Sequence, residues 1–261
     1  MRVTIVGWAG SFPSPDSPAS CYLVEADGFR MVLDLGNGAL GALQQHTALT
    51  DVDAVCISHL HADHCIDMLS YSVFQNYHPG GQRPRIPVYG PAGTTDRLGQ
   101  ALGFHSMGIE QAFDVTTLTP GTIEVGPLTI TTGRMRHPVE TFGFRIEHGG
   151  QVLAYSADTG PCDQLVTLAH GADVLLAEAS FTDGPDLPPD LHLTAREAAE
   201  HAAAAGVGEL VLTHLVAWND PAVSLEQAAA CYDGPVRLAS SGQVLLGEAR
   251  LGHDPGWSDD A

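Results

Sequence analysis

Apolar positions along the chain fall into two rhythms. Short runs that alternate apolar and polar, or are apolar throughout, recur at 2–6, 22–26, 30–33, 54–57, 87–89, 128–132, 141–146, 151–155, 174–177, 209–213, 236–239 and 243–246. These predict strands. Longer segments with apolar residues every three or four positions predict helices at 38–46, 65–77, 94–102, 162–170, 194–205 and 225–231. The clearest helix start is Thr194-Ala195-Arg196-Glu197, a capping box, and Gly206 supplies a C-terminal stop. Strands interleaved with helices imply an α/β protein. No Ser/Gly linker or change in composition divides the chain. One domain over 1–261 is expected, with an acidic, frayed tail at 252–261. Loops at 80–87 and 183–189 are rich in turn residues and are expected near the mouth of a site.

One of the predicted strands, 54–57, runs into His59-Leu60-His61-Ala62-Asp63-His64. Imidazole and carboxylate suit zinc or a similar divalent ion. His59 and His61 are two apart, so on an extended segment they project to the same side and can grip one ion. Asp63 and His64 follow where the chain turns and can face a second ion. An accidental cluster of surface histidines would rarely show this density and order.

The His59–His64 run resembles the signature of the metallo-β-lactamase superfamily, and the likeness extends along nearly the whole chain. It is similar to the branch that holds RNase Z enzymes and class II-like cyclic nucleotide phosphodiesterases. Cys65-Ile66-Asp67-Met68 and Tyr77-His78-Pro79 further resemble a group of small actinobacterial phosphodiesterases. The resemblance implies an αββα four-layer sandwich. It also implies a ligand series, carried here by His59, His61 and His137 for one metal and Asp63, His64 and His214 for the other, with Asp158 bridging. Two zinc ions are expected, manganese or iron being alternatives. Asp34 would orient the histidine loop from behind. Glu178 and His192 resemble a proton-relay pair, which with Asp63 makes up the expected catalytic group. His192 stands just before the start of a helix, a favourable place for a phosphate, and a histidine backed by a carboxylate suits protonation of a leaving oxygen. Arg134 and Arg136 alternate beside His137 and are candidate phosphate binders.

Composition narrows the substrate. The chain has 31 acids, 11 arginines, no lysine and a formal charge of −20. Affinity for long nucleic acids and anionic membranes rests largely on cationic side chains, so tRNA, DNA and membranes are not expected partners. A small anion is less affected, because bound divalent ions dominate the local field. The RNA-gripping arm of RNase Z-like enzymes would follow the strand at 141–146, where only a short hairpin stands, and Asn37 replaces a glutamate usual in that group. The expected activity is hydrolysis of a small phosphodiester, foremost a 3′,5′-cyclic nucleotide such as cAMP, to the 5′-monophosphate. The alternatives are RNA 3′-end cleavage, lactone or thioester hydrolysis, and a metal-stabilised binding module without turnover. Five scattered cysteines without a CxxC pair suggest reduced thiols and a cytoplasmic protein. Cys65, next to His64, is expected to pack in the core. The N-terminus lacks a secretory signal, and no apolar stretch is long enough to span a membrane. A homodimer is compatible with the resemblance.

Overall fold

The computed structural model describes residues 1–103, 107–184 and 186–247. The expected tail at 252–261 lies outside them. Two seven-stranded mixed sheets make up the centre. The first is built from β1 (Arg2–Gly7), β2 (Cys21–Ala26), β3 (Phe29–Leu33), β4 (Ala54–Cys56), β5 (Ile86–Gly90) and β6 (Phe113–Thr117). The second contains β7 (Gly121–Val125), β8 (Leu128–Arg134), β9 (Phe142–His148), β10 (Gln151–Tyr155), β11 (Val174–Glu178), β12 (Glu209–Thr213) and β13 (Val236–Leu238). The last strand, β14 (Val244–Leu245), returns to the first sheet beside β1.

Side-chain alternation explains the layering. In β2, Tyr22 and Val24 face the second sheet, while Cys21 and Leu23 face outward. In β10 and β11, Leu153, Tyr155, Val174 and Leu176 point between the sheets, while Ala154, Leu175 and Ala177 point to the other side. Both faces are therefore apolar, and each outer face needs a cover of helices. On the first sheet this is α1 (Ala39–Leu43), α3 (Met68–Tyr77), α4 (Thr94–Leu102) and α5 (Met107–Ala112). On the second it is α6 (Asp163–Ala169), α7 (Ala195–Ala205) and α8 (Pro221–Ala229). Helix α7 lays buried Ala195, Ala198, Ala199, Ala202 and Ala205 on the sheet, and these small side chains allow close approach. The result is the expected αββα sandwich.

Some elements differ from the sequence expectation. The helix read at 65–77 is two helices, α2 (Ala62–Cys65) and α3. Leu35 causes the break: its N–H donates to the His64 carbonyl at 2.8 Å, and its own carbonyl accepts from Asp67 N–H at 3.1 Å. The same exchange locks the histidine run against the turn after β3. Strands β6 and β7 escape the apolar pattern because each is a sheet edge with mostly exposed or half-exposed residues. The 80–87 loop is not near the site. It enters β5, which runs parallel to β4, so it lies at the opposite end of the sheet from His59. All five cysteines are free, and Cys65 is buried in the layer between the first sheet and its helices. Among the described residues no helix is long and apolar enough to cross a membrane.

The capping box at α7 forms as expected. Thr194 Oγ1 accepts from Glu197 N–H, and Glu197 accepts from Thr194 N–H. Thr194→Ala should lower unfolding free energy by about 1 kcal/mol, while Thr194→Ser retains most of it. Urea denaturation of the three proteins checks this.

Candidate metal centre

The site forms where strands end. β3 and β4 run parallel, as do β10, β11 and β12, and β8 shares their direction through two antiparallel pairings with β9. The turns after β3, β4, β8, β10 and β12 deliver Asp34, the His59–His64 run, His137, Asp158 and His214 to one edge of the sandwich, and β11 brings Glu178 there as its last residue. Three of these turns carry backbone strain: Asp34, Ala157 and His214 have φ of 59°, 51° and 53°. Non-glycine residues adopt this conformation at a cost of about 1–3 kcal/mol, and such residues collect at functional sites.

Seven side chains form two adjoining groups. His59, His61, His137 and Asp158 make one; Asp63, His64, His214 and Asp158 make the other, with the ligand atoms in each within 4.8 Å of one another. Asp158 belongs to both. His59 Nε2 lies 3.1 Å from His61 Nδ1, which is 3.2 Å from His137 Nε2. In the second group His64 Nε2 and His214 Nε2 are 3.2 Å apart, and Asp63 Oδ2 is 3.1 Å from His214 Nε2.

The outward nitrogens of these rings settle what the inward ones present. His137 Nδ1–H donates to the Leu191 carbonyl at 2.8 Å. His64 Nδ1–H donates to Asp34 Oδ2 at 2.8 Å. Ser180 Oγ donates to the His214 carbonyl at 3.0 Å and so accepts from His214 Nδ1–H at 2.7 Å. With those protons outside, Nε2 of His64, His137 and His214 faces inward as a lone pair, the form that binds metal. Lone pairs at such distances repel unless a cation lies between them. Asp158 Oδ1 agrees: it is buried and accepts no well-formed hydrogen bond, although His64 Nε2 is 3.2 Å away. The donor set therefore fits two divalent ions.

Electrostatics points the same way. Burial pushes the pKa of His59, His61 and His137 down and keeps these imidazoles neutral. At His64 burial also opposes charge, but Asp158, Asp34 and Asp63 outweigh it and raise the pKa well above the usual value. A cation among those carboxylates would take the place of that proton. Burial alone would raise the pKa of Asp158 and Asp63, yet their histidine neighbours hold both carboxyls well below the usual range.

Asp34 is fully buried behind the histidine run. Its carboxylate accepts from Ser58 N–H at 2.7 Å, Ser58 Oγ at 2.8 Å, Tyr155 Oη at 2.8 Å and His64. Glu178 lies behind the other end. It accepts from the N–H groups of Thr159 at 2.9 Å and Ser180 at 3.1 Å, and its Oε1 is 2.9 Å from His192 Nδ1. Burial disfavours charge on His192, but Glu178 and Asp158 outweigh it and bring its pKa up to about 9. His192 adjoins both groups, its ring centroid 5.5 Å from those of His137 and His214.

Arg134 and Arg136 belong to neither ligand group, and their side chains pair with other carboxylates. Arg134 pairs with Glu140 and lies over the Phe142 ring, and Arg136 pairs with Asp190 at 3.2 Å; both side chains are exposed. Sequence reading missed Ser58, Tyr155, Ser180 and the Leu191 carbonyl. Hydroxyls beside a ligand motif are the one available signal, and Ser58 and Ser180 carry it. Two glycines also escaped notice. A Cβ on Gly10 would meet the His214 carbonyl oxygen at 2.4 Å, and one on Gly36 the Asp63 carbonyl oxygen at 2.0 Å. Both positions let neighbouring backbone press against a ligand residue.

Comparison with known proteins gives the assembly a family. Residues 30–215 match the model of the β-lactamase superfamily domain. The probable metallo-hydrolase YhfI of Bacillus subtilis is 30% identical over 251 residues, covering 95% of this chain and 100% of YhfI. The crystal structure of YhfI superposes with a TM-score of 0.83 at 28% identity, over 94% of this chain and 98% of that one. A ribonuclease Z of Mycobacterium bovis is 34% identical over 243 residues, or 83% of this chain and 86% of that enzyme. The uncharacterized protein ML1173 of Mycobacterium leprae is 46% identical over 251 residues, 94% of this chain and 88% of that one. The chain belongs to the β-lactamase superfamily and is a metallo-hydrolase of the metallo-β-lactamase fold.

Proposed function

We propose that this metallo-hydrolase is a dinuclear phosphodiesterase acting on a small diester, foremost a 3′,5′-cyclic nucleotide such as cAMP, to give the 5′-monophosphate. The observation that carries this reading is the pair of His192 with buried Glu178 beside the two ligand groups. Phosphodiester cleavage releases an alkoxide, which needs a proton, whereas thioester cleavage releases a thiolate that leaves without one. With Nδ1 turned to Glu178, Nε2 of His192 is left for the site, and the carboxylates of Glu178 and Asp158 favour its protonated form. Glu178 holds the imidazole in that orientation, fixed in turn by two backbone N–H groups.

His59, His61, His137 and Asp158 would hold one ion, and Asp63, His64, His214 and Asp158 the other. When bound, such a pair supplies Lewis-acid activation of the phosphoryl group and of water. Asp158, shared by both groups, sets their spacing. Asp34 and Ser180 keep His64 and His214 turned inward. Zinc suits this mixed imidazole and carboxylate set, as manganese or iron would.

A second reading is RNA 3′-end cleavage, favoured by the identity to ribonuclease Z. Two observations support the small substrate over it. β9 and β10 are joined by the two-residue turn Gly149-Gly150, with no room for an arm. The formal charge is −20, and surface arginines 85, 134, 136, 196 and 237 are all paired with carboxylates. Little free positive surface remains for a polyanion.

Elemental analysis should find about two divalent ions per chain in the wild type, with hydrolysis lost on chelation and restored by Mn²⁺ or Zn²⁺. Asp158→Ala should lower total metal content and abolish turnover. Two retained ions with wild-type turnover would refute the bridging role.

His192→Ala should keep both ions and slow hydrolysis of cAMP by roughly 10²–10⁴-fold, the usual size of general acid catalysis. The loss should shrink on bis(p-nitrophenyl) phosphate, whose leaving group needs little protonation. Equal losses on the two substrates would remove His192 as the proton donor.

On one preparation at physiological salt, 3′,5′-cyclic nucleotides should be hydrolysed and precursor tRNA left essentially intact. Efficient tRNA 3′ trimming with cAMP untouched would replace the first reading by the second.

A further inference from the structure

A cleft of about 390 Å³ opens directly beside His192. Ser180, whose hydroxyl fixes His214, lies in its wall with His192, so cleft and ligand groups share a boundary. The volume falls within the roughly 300–1,000 Å³ usual for ligand pockets. Its remaining wall includes Phe181, Leu187, Trp218 and Asn219. Phe181 packs edge-on against the His192 ring at 5.3 Å. Trp218 is 73% exposed and Phe12 is 37% exposed, yet their rings meet at 5.2 Å. Both belong to loops anchored at the site: Trp218 follows His214 in sequence, and the backbone N–H of Ser11 points at His214 Nε2 from 3.4 Å.

An exposed tryptophan–phenylalanine pair at the lip of a pocket leaves apolar surface in water that a ring could cover. Among the described residues no arginine lines the cleft. Ser11, Thr182 and Asn219 supply polar groups in the wall that can meet the edge of a heterocycle.

We propose that this cleft is the subsite for a nucleobase, which stacks on Trp218, itself backed by Phe12, while the phosphoryl group of the same molecule occupies the ligand groups. The inference rests on the phosphodiesterase reading and deepens it: the substrate is a nucleotide rather than any small diester. An uncharged planar ring fits the apolar lip, where no arginine stands among the described residues. Its sugar spans the short distance past His192, leaving Nε2–H of His192 at the ester oxygen. Phe12 and Trp218 act on affinity and base preference, not on proton transfer.

Calorimetric titration of the metal-loaded enzyme with adenosine 5′-monophosphate and with ribose 5-phosphate tests this, since the two share the phosphate and differ in the base. Wild type should bind the nucleotide at least ten-fold more tightly, a size typical of base–aromatic stacking. Trp218→Ala should remove most of that preference, Trp218→Phe should keep much of it, and ribose 5-phosphate should bind alike in all three. Trp218 is exposed, so neither substitution threatens the fold. Equal affinity of wild type for the two ligands, or no measurable binding of either, overturns the subsite. So does an equal weakening of both by Trp218→Ala. Hydrolysis of bis(p-nitrophenyl) phosphate by the same proteins separates the two levels. Turnover with no base preference removes the nucleobase subsite and leaves the phosphodiesterase; no turnover by wild type removes the phosphodiesterase reading itself.

Discussion

Seven candidate ligand atoms converge in one corner of this molecule with their lone pairs facing one another, and that repulsion governs how the surroundings are built. Burying polar atoms without partners costs several kcal/mol each. Here Asp158 Oδ1 has no well-formed partner, and inward imidazole nitrogens approach to 3.1–3.2 Å. Such an arrangement would relax by ring rotation unless each ring were held from behind. Asp34, the Leu191 carbonyl and Ser180 do the holding at His64, His137 and His214. The inner set can bind cations because the outer set keeps its protons outside.

Those outer bonds depend on the sandwich. Asp34 follows a strand of the first sheet, and Tyr155, which donates to it, ends a strand of the second. Tyr22 of the first sheet meets Thr213 of the second at 2.8 Å, one residue before His214. The two tyrosine rings pack at 5.1 Å in the layer between the sheets. The positions of the two ligand groups are thus coupled to the packing of one sheet on the other. The positive φ angles at Asp34, Ala157 and His214 are affordable only in so constrained a setting. A looser core would let them relax and take the ligands with them.

Much of this was legible in the sequence, for reasons that differ by residue. The His59–His64 run is dense because four ligand positions fall on one turn after one strand. His137, Asp158 and His214 are single letters in ordinary strand-end contexts; their order along a superfamily ligand series identifies them, not their local pattern. Buried strands read clearly because both faces are apolar, whereas edge strands β6 and β7, with solvated faces, did not. Ser58 and Ser180 were missed for a different reason. A serine beside a strand end is commonplace, and its role here depends on a second residue far away in sequence. The misplaced 80–87 loop shows the same limit, since turn chemistry marks a loop but not the end of the sheet at which it emerges.

Glu178, His192 and His214 also come within 4.8 Å of one another, so the same atoms could be read as a further cation site. Their bonding argues against it. Glu178 already accepts from the N–H groups of Thr159 and Ser180 and faces His192 Nδ1 at 2.9 Å. His214 Nδ1 is committed to Ser180, and its Nε2 faces Asp63. A cation here would have to displace the Glu178–His192 bond and turn His214 away from the second ligand group. In the inner groups the facing atoms are acceptors without protons; here a proton on His192 satisfies the pair. Where the proton is drawn to the outside, the site calls for a cation. Where, as between Glu178 and His192, a proton lies between the facing atoms, the pair is complete without one.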